Sequence, residues 1–277
     1  MGLDPLTLVD LRPPDFVDIA ADAGFSEVGF FVTSQSSAIS ILELGTALFD
    51  ETLERLAARK LRVGTVTSFD LKSGSGVATW GAPLRAATAL GARTINVAIL
   101  SDIDEELAVL KFRELCRDAG ERGLIVSLEF LAFSPVVRSL GDALRILEKT
   151  NATNARLTVD CLHLIRTGGS AAQLARVDPT LIGHVQICDG LLELSPDLWL
   201  AEAGEHRLYA GEGEIPLVEI MRLVPPHLVV AAEIPRRRDR ERGATPAMIA
   251  RECWESSQRI FCAGNRSPLR SDYEASA

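Results

Sequence analysis

The chain has 277 residues, 47% of them apolar and 24% charged, a length at which an α/β barrel forms as one domain and buries a large core. Its net charge of -9 and pI near 5.1 leave no global positive field, and the short basic run Arg236-Arg237-Arg238 is followed at once by Asp239 and Glu241, so nucleic acid is excluded as an expected partner. The five cysteines are odd in number and form no Cys-x-x-Cys pair, which fits neither a disulfide framework nor a thiolate zinc site and suits a reducing cytoplasm.

In chain order, a weak strand candidate at residues 6–9 precedes a helix at 13–23 that closes on Gly24. A strand at 27–32, a helix at 46–59 and a strand at 62–69 follow. Next come a helix at 82–90 closed by Gly91, a strand at 93–100, a helix at 104–122 closed by Gly123 and a strand at 125–131. The second half continues with a helix near 135–149, a strand at 156–161, a helix at 171–176 and a strand at 184–188. A helix at 216–223, a strand at 228–234 and a helix at 245–262 complete the series.

The glycines stand where helix C-caps belong. Short β-branched runs alternating with longer amphipathic stretches point to parallel strands joined by crossover helices, and eight such units close a (β/α)8 barrel, a single domain over residues 1–263 with a polar tail at 264–277. Residues 1–10 carry no positively charged leader ahead of an apolar stretch, and no apolar run approaches the roughly 18 residues that a membrane span needs, so neither export nor a membrane is expected. The connection at 190–213 is far longer than usual, which suggests a lid or binding loop over a solvated insertion.

A parallel barrel keeps its active site at the C-terminal ends of its strands, so a polar residue late in an apolar strand needs a reason. Glu129, Asp160, Gln186 and Glu233 each occupy such a place. Alternation puts Ser127 on the face of Glu129, Thr158 on that of Asp160, His184 and Cys188 on that of Gln186, and Ala231 on that of Glu233. These faces are small or polar, whereas Val126, Leu128, Leu157, Val159, Val185 and Val230 present apolar surface to the helices. Three carboxylates in one buried mouth repel each other unless a cation neutralises them. With the amide oxygen of Gln186 they form a hard, all-oxygen set that suits one divalent Mn²⁺ or Mg²⁺, with Zn²⁺ less natural.

Over residues 10–260 the chain resembles the xylose-isomerase-like TIM-barrel family of sugar isomerases, epimerases and related lyases. The resemblance rests on Leu128-Glu129-Phe130, Asp160-Cys161-Leu162-His163, Val185-Gln186-Ile187-Cys188-Asp189-Gly190, Arg207 with Gly211-Glu212-Gly213-Glu214, and Ala232-Glu233-Ile234. It implies Glu129, Asp160, Gln186 and Glu233 as metal ligands, with Glu129 and Glu233 also the proton-transferring pair. It further implies that His163 touches substrate or ion, and that Arg207 pairs with a substrate oxygen. Read on its own, Arg207 is equally a surface charge beside Glu205. Many sugar epimerases of the family have histidine where this chain has Gln186, and glutamine there resembles the 3-dehydroshikimate dehydratase branch.

Ser68, Asp70 and Ser101 stand at other strand ends as candidate substrate contacts, and Phe30-Phe31-Val32 suggests one apolar wall. His184 reads as a core histidine, while His206 and His227 carry no expected role. The expected function is metal-dependent isomerisation or epimerisation of a small polyhydroxylated carbonyl compound through an enediolate, with dehydration as the alternative outcome of the same site. A non-catalytic, sugar-binding barrel is the reading from another class, disfavoured by the intact pair of glutamates. The dimers and tetramers common in the family leave a homo-oligomer open, although no stretch marks an interface.

Overall fold

The structure is a computed structural model in which residues 1–33, 36 and 39–265 are described, so most of the expected tail lies outside the described residues. Eight parallel strands close in sequence order into a barrel. They are β1 (Gly2–Leu3), β2 (Glu27–Phe31), β3 (Arg62–Asp70), β4 (Thr94–Ala98), β5 (Ile125–Glu129), β6 (Ala155–Asp160), β7 (Ile182–Ile187) and β8 (Val230–Ala232). Closure comes from β1 against β8, where Gly2 faces Ala231 and Leu3 faces Ala232.

The first strand is a correction to the sequence reading. Residues 6–9 do not form it; Pro5–Leu8 is a 3-10 turn opened by Pro5, whose missing N–H suits the first position of a helical turn. Within that turn the Thr7 hydroxyl donates to the Ala232 carbonyl at 3.2 Å and accepts from the Ile234 N–H at 3.0 Å. The segment therefore caps the end of β8, and the strand proper is the pair of residues before it.

The helices are α1 (Pro13–Ala23), α2 (Ala47–Arg59), α3 (Val77–Ala89), α4 (Glu105–Gly120), α5 (Leu140–Thr150), α6 (Cys161–Arg166), α7 (Ala171–Leu174), α8 (Trp199–Glu205), α9 (Leu217–Leu223), α10 (Arg237–Glu241) and α11 (Pro246–Ala263). Two start elsewhere than the sequence suggests. Helix α3 begins earlier, at Val77, because the Thr79 side chain accepts from the Gly76 N–H at 3.0 Å, and it carries Pro83 inside it. Helix α5 begins later, at Leu140, because Ser139 and Asp142 form a reciprocal capping box there.

Outward-facing Val63, Ile95, Val126, Leu157, Val185 and Val230 are buried beneath the helices. Burying each such side chain contributes roughly 1.5–3 kcal/mol relative to leaving it exposed. Gly24 ends α1 at φ 101°, where a Cβ would run into the Trp254 indole of α11, so both its conformation and the close approach of that ring require glycine. No described helix is long and apolar enough to cross a membrane.

The long connection after β7 is not structureless. It holds a 3-10 turn at Pro196–Leu198 followed by α8, and it is fastened at three points. Asp189 accepts from the N–H groups of Gly190, Gly211 and Ile215, at 2.9, 2.8 and 3.0 Å. Arg166 of α6 makes a bidentate pair with Glu202 of α8, both bonds 2.6–2.7 Å, and donates to the carbonyls of Leu191 and Leu192. An antiparallel bridge joins His206 to Arg236 just beyond β8.

Candidate active site

Each strand end delivers its polar residue to the barrel mouth by alternation. Glu129 closes β5, Asp160 closes β6, and Gln186 lies beside Asp160 in the β6–β7 register. Glu233 follows β8 and is tied by its N–H to the Ile187 carbonyl at 3.2 Å. All four are buried, with Asp160 fully enclosed. Helix α6 starts on Asp160 with no intervening loop, because the carboxylate is its N-cap: Oδ1 accepts from the N–H groups of Leu162 at 2.7 Å and His163 at 3.2 Å. That cap brings His163 round to the mouth, against the Phe133 ring at 5.5 Å between centroids.

Ligand atoms of Glu129, Asp160 and His163 all lie within 4.8 Å of one another. Glu129 is held by Asn96 of β4, whose Nδ2 donates to Oε2 at 2.7 Å, while Thr158 donates to Asn96 Oδ1 at 2.6 Å. The other oxygen, Oε1, is 4.0 Å from His163 Nε2. Burial lowers His163 to about 4, so at neutral pH the ring is uncharged and this approach is not an ion pair.

Arg207 is not the surface charge that its neighbour Glu205 suggests, and its partners in the structure are two carboxylates of the mouth. It is 2% exposed, donates to Asp160 Oδ2 at 2.5 Å and to the Ala203 carbonyl at 2.9 Å, and forms an ion pair with Glu233 Oε2 at 2.8 Å. The geometry thus groups His163 with Glu129 and Asp160, and pairs Glu233 with Arg207. Ser68 lies apart, lining a cleft of about 510 Å³ with Asp70, Lys72 and Trp80, in which none of the four strand-end ligand candidates takes part. Asp70 accepts from the Leu100 N–H and the Ser101 hydroxyl, and His227 is exposed.

Two buried residues escape a reading of strand ends. Asn96 was signalled by a polar side chain between Ile95 and Val97 in the middle of β4. Asp4, directly after β1, accepts on Oδ2 from His184 Nε2 at 3.0 Å and Gln186 Nε2 at 2.8 Å. It is invisible until the first strand is placed.

Burial, reinforced by the charge of Asp160, pushes Glu129 up to about 7. Burial also drives Glu233 well above the ordinary carboxylate range, although Arg207 pulls the other way. Asp160 faces the same desolvation, but Arg207, then His163 and the helix-capping N–H groups hold it low. Burial would lower His184, yet the Asp4 carboxylate outweighs it and the net shift is upward.

The donor set fits a divalent cation. Asp4, Glu129, Asp160 and Glu233 crowd one interior with the buried guanidinium of Arg207, and the upward shifts of Glu129 and Glu233 mark an interior that favours added positive charge, which a divalent cation would supply in place of protons. In addition, Gln186 Oε1 and His163 Nδ1 are buried without a hydrogen-bond partner among the described residues.

Residues 17–251 match the model of a family described as xylose isomerase-like TIM barrel. The chain belongs to this family. No curated protein matches it. Among solved structures it is similar to the IOLI protein with a bound zinc atom, at TM-score 0.79 and 17% identity, covering 97% of this chain and 99% of that one. A xylose isomerase domain protein from Alicyclobacillus acidocaldarius gives 0.74 at 20% identity over 95% of this chain and 98% of that one. D-Psicose 3-epimerase from Clostridium cellulolyticum H10, with D-tagatose, gives 0.70 at 15% over 95% and 98%. The chain also spans 45% of a fusion of a xylose isomerase-like TIM barrel with a 4-hydroxyphenylpyruvate dioxygenase. At these identities the likeness is one of fold, and it places the family's barrel over nearly the whole chain.

Proposed function

We propose that the chain is a divalent-metal-dependent sugar or sugar phosphate isomerase/epimerase that moves a proton next to a carbonyl. The observation that carries this reading is geometric: Glu129, Asp160 and His163 offer ligand atoms within 4.8 Å of one another at the barrel mouth, with a second buried glutamate, Glu233, set beside Arg207 there. Two buried carboxyls on opposite sides of one mouth are suited to take a proton from one position and return it at another.

Glu129, Asp160 and His163 would hold the cation, with Gln186 Oε1 beside Asp160 as the further oxygen. A divalent cation bound there supplies Lewis-acid polarisation of the substrate's carbonyl and hydroxyl oxygens. The imidazole in this set admits Zn²⁺ alongside the expected Mn²⁺ or Mg²⁺. One glutamate removes the proton α to the carbonyl, and the other returns one to the neighbouring or the same carbon. Arg207 fixes the carboxylate of Glu233 and places positive charge beside the developing enediolate.

Loss of a β-hydroxyl from the same enediolate gives a dehydratase, a second reading favoured by glutamine at position 186. Proton NMR in D₂O with ketoses, inososes and 3-dehydroshikimate separates the two. Deuterium incorporation without an alkene signal marks the isomerase, and an alkene or catechol product marks the dehydratase. No turnover or exchange across the panel, with Mn²⁺, Mg²⁺ or Zn²⁺ supplied, would overturn both.

A further inference from the structure

We infer that Asp4 is a positioning residue that fixes the amide of Gln186 so that its oxygen, not its nitrogen, faces the cation site. The inference rests on the metal-dependent reading above and deepens it.

A carboxylate only accepts hydrogen bonds. At 2.8 Å from Asp4 Oδ2, the Gln186 amide must therefore present Nε2 to Asp4, and its Oε1 must point elsewhere. That oxygen is buried and has no partner among the described residues, while the strand register sets Gln186 next to Asp160. Left without this bond, an amide can turn over and offer N–H groups, which repel a cation, as readily as its oxygen. Asp4 thus decides whether Gln186 is a ligand or an obstacle. The same Oδ2 also accepts from His184 Nε2 at 3.0 Å, so two strand β7 side chains on one face are held by a single carboxylate from the residue after β1.

The fold makes room for this carboxylate. Asp4 is 2% exposed, and a Cβ at Gly29 of β2 would lie 2.9 Å from its Oδ1 and 2.9 Å from Pro5 Cδ, so only glycine leaves the space. Oδ1 and the hydroxyl of Thr65 both lack a partner among the described residues, and Asp4 and Thr65 line a cavity of about 20 Å³, enough for one water that would complete the anchoring. Partners that orient a metal ligand from behind commonly change metal affinity by about 10–100-fold when removed.

The test is Mn²⁺ binding to the full chain, read from the electron paramagnetic resonance signal of free Mn²⁺, for the unmodified protein, Asp4→Asn, Gln186→Ala and the double variant. Asp4→Asn keeps the shape but lets the Gln186 amide turn, and is expected to weaken binding about tenfold or more. In the Gln186→Ala background the same change is expected to have little further effect, which a merely structural role would not produce. If Asp4→Asn lacks a cooperative melt, Asp4→Ser, which removes the carboxylate and leaves room for water in its place, is read by the same two criteria. Binding within about twofold of the unmodified protein, or losses that multiply in the double variant, would overturn the inference. An unmodified chain that binds no Mn²⁺ would overturn the metal reading itself, an outcome distinct from tight binding that ignores Asp4.

Discussion

Arg207 reaches Glu233 at 2.8 Å inside the barrel mouth, joining the long connection after β7 to the residue that follows β8. The same guanidinium holds Asp160, so one buried cation is shared by two carboxylates that come from different strands. Taking these charges out of water is tolerable only while they remain paired.

Replacing Arg207 by Met should therefore destabilise the metal-free protein by roughly 3–5 kcal/mol, the usual cost of stranding buried charge. Urea unfolding of the metal-free chain reads this directly. A loss under about 1 kcal/mol would mean that Asp160 and Glu233 find other partners or water.

The upward shift of Glu129 has a definite sign in stability. Its ordinary value is 4.5 and its value in the folded, metal-free chain is about 7, so across that window the folded state holds a proton that the unfolded state has released. Its contribution to metal-free stability should therefore fall as pH rises from 4.5 toward about 7, then level off. Denaturant midpoints measured across this range should decline less steeply in Glu129→Gln. Equal slopes in the two proteins would contradict the shift.

Arg166 and Glu202 are both nearly enclosed, and their bidentate bond holds α8 against α6. Glu202→Gln should loosen residues 190–205 without unfolding the barrel. Hydrogen exchange and limited proteolysis at the exposed Leu191, Leu192 and Leu200 should accelerate severalfold, with a global melt shifted far less.

Of the five cysteines, Cys116, Cys161, Cys188 and Cys253 are buried and only Cys262 is exposed. Burial pushes Cys116 up to about 12 and the other three upward too. An aromatic disulfide reagent should label one thiol rapidly in the native protein and the remaining four only on unfolding. Fast labelling of a second thiol would show that a buried segment opens.

The sequence by itself determined the barrel and the seven strands from β2 to β8, because a strand buried on both faces leaves a local, β-branched run. It also determined Glu129, Asp160, Gln186 and Glu233 as members of one mouth, since period-two alternation and strand polarity fix both the face and the end on which each falls. Strand β1 left no such run: two residues, Gly2 and Leu3, suffice when neighbours on either side supply the register, and the apolar Leu6 and Leu8 that imitate a strand belong to a turn begun by Pro5. Only the tertiary structure decided that Asp4 lies behind Gln186, that Asn96 holds Glu129 and that Arg207 is buried between Asp160 and Glu233. Those contacts join residues from 26 positions apart, for Arg207 and Glu233, to 182, for Asp4 and Gln186, and pairings closed at such separations have no local pattern to announce them.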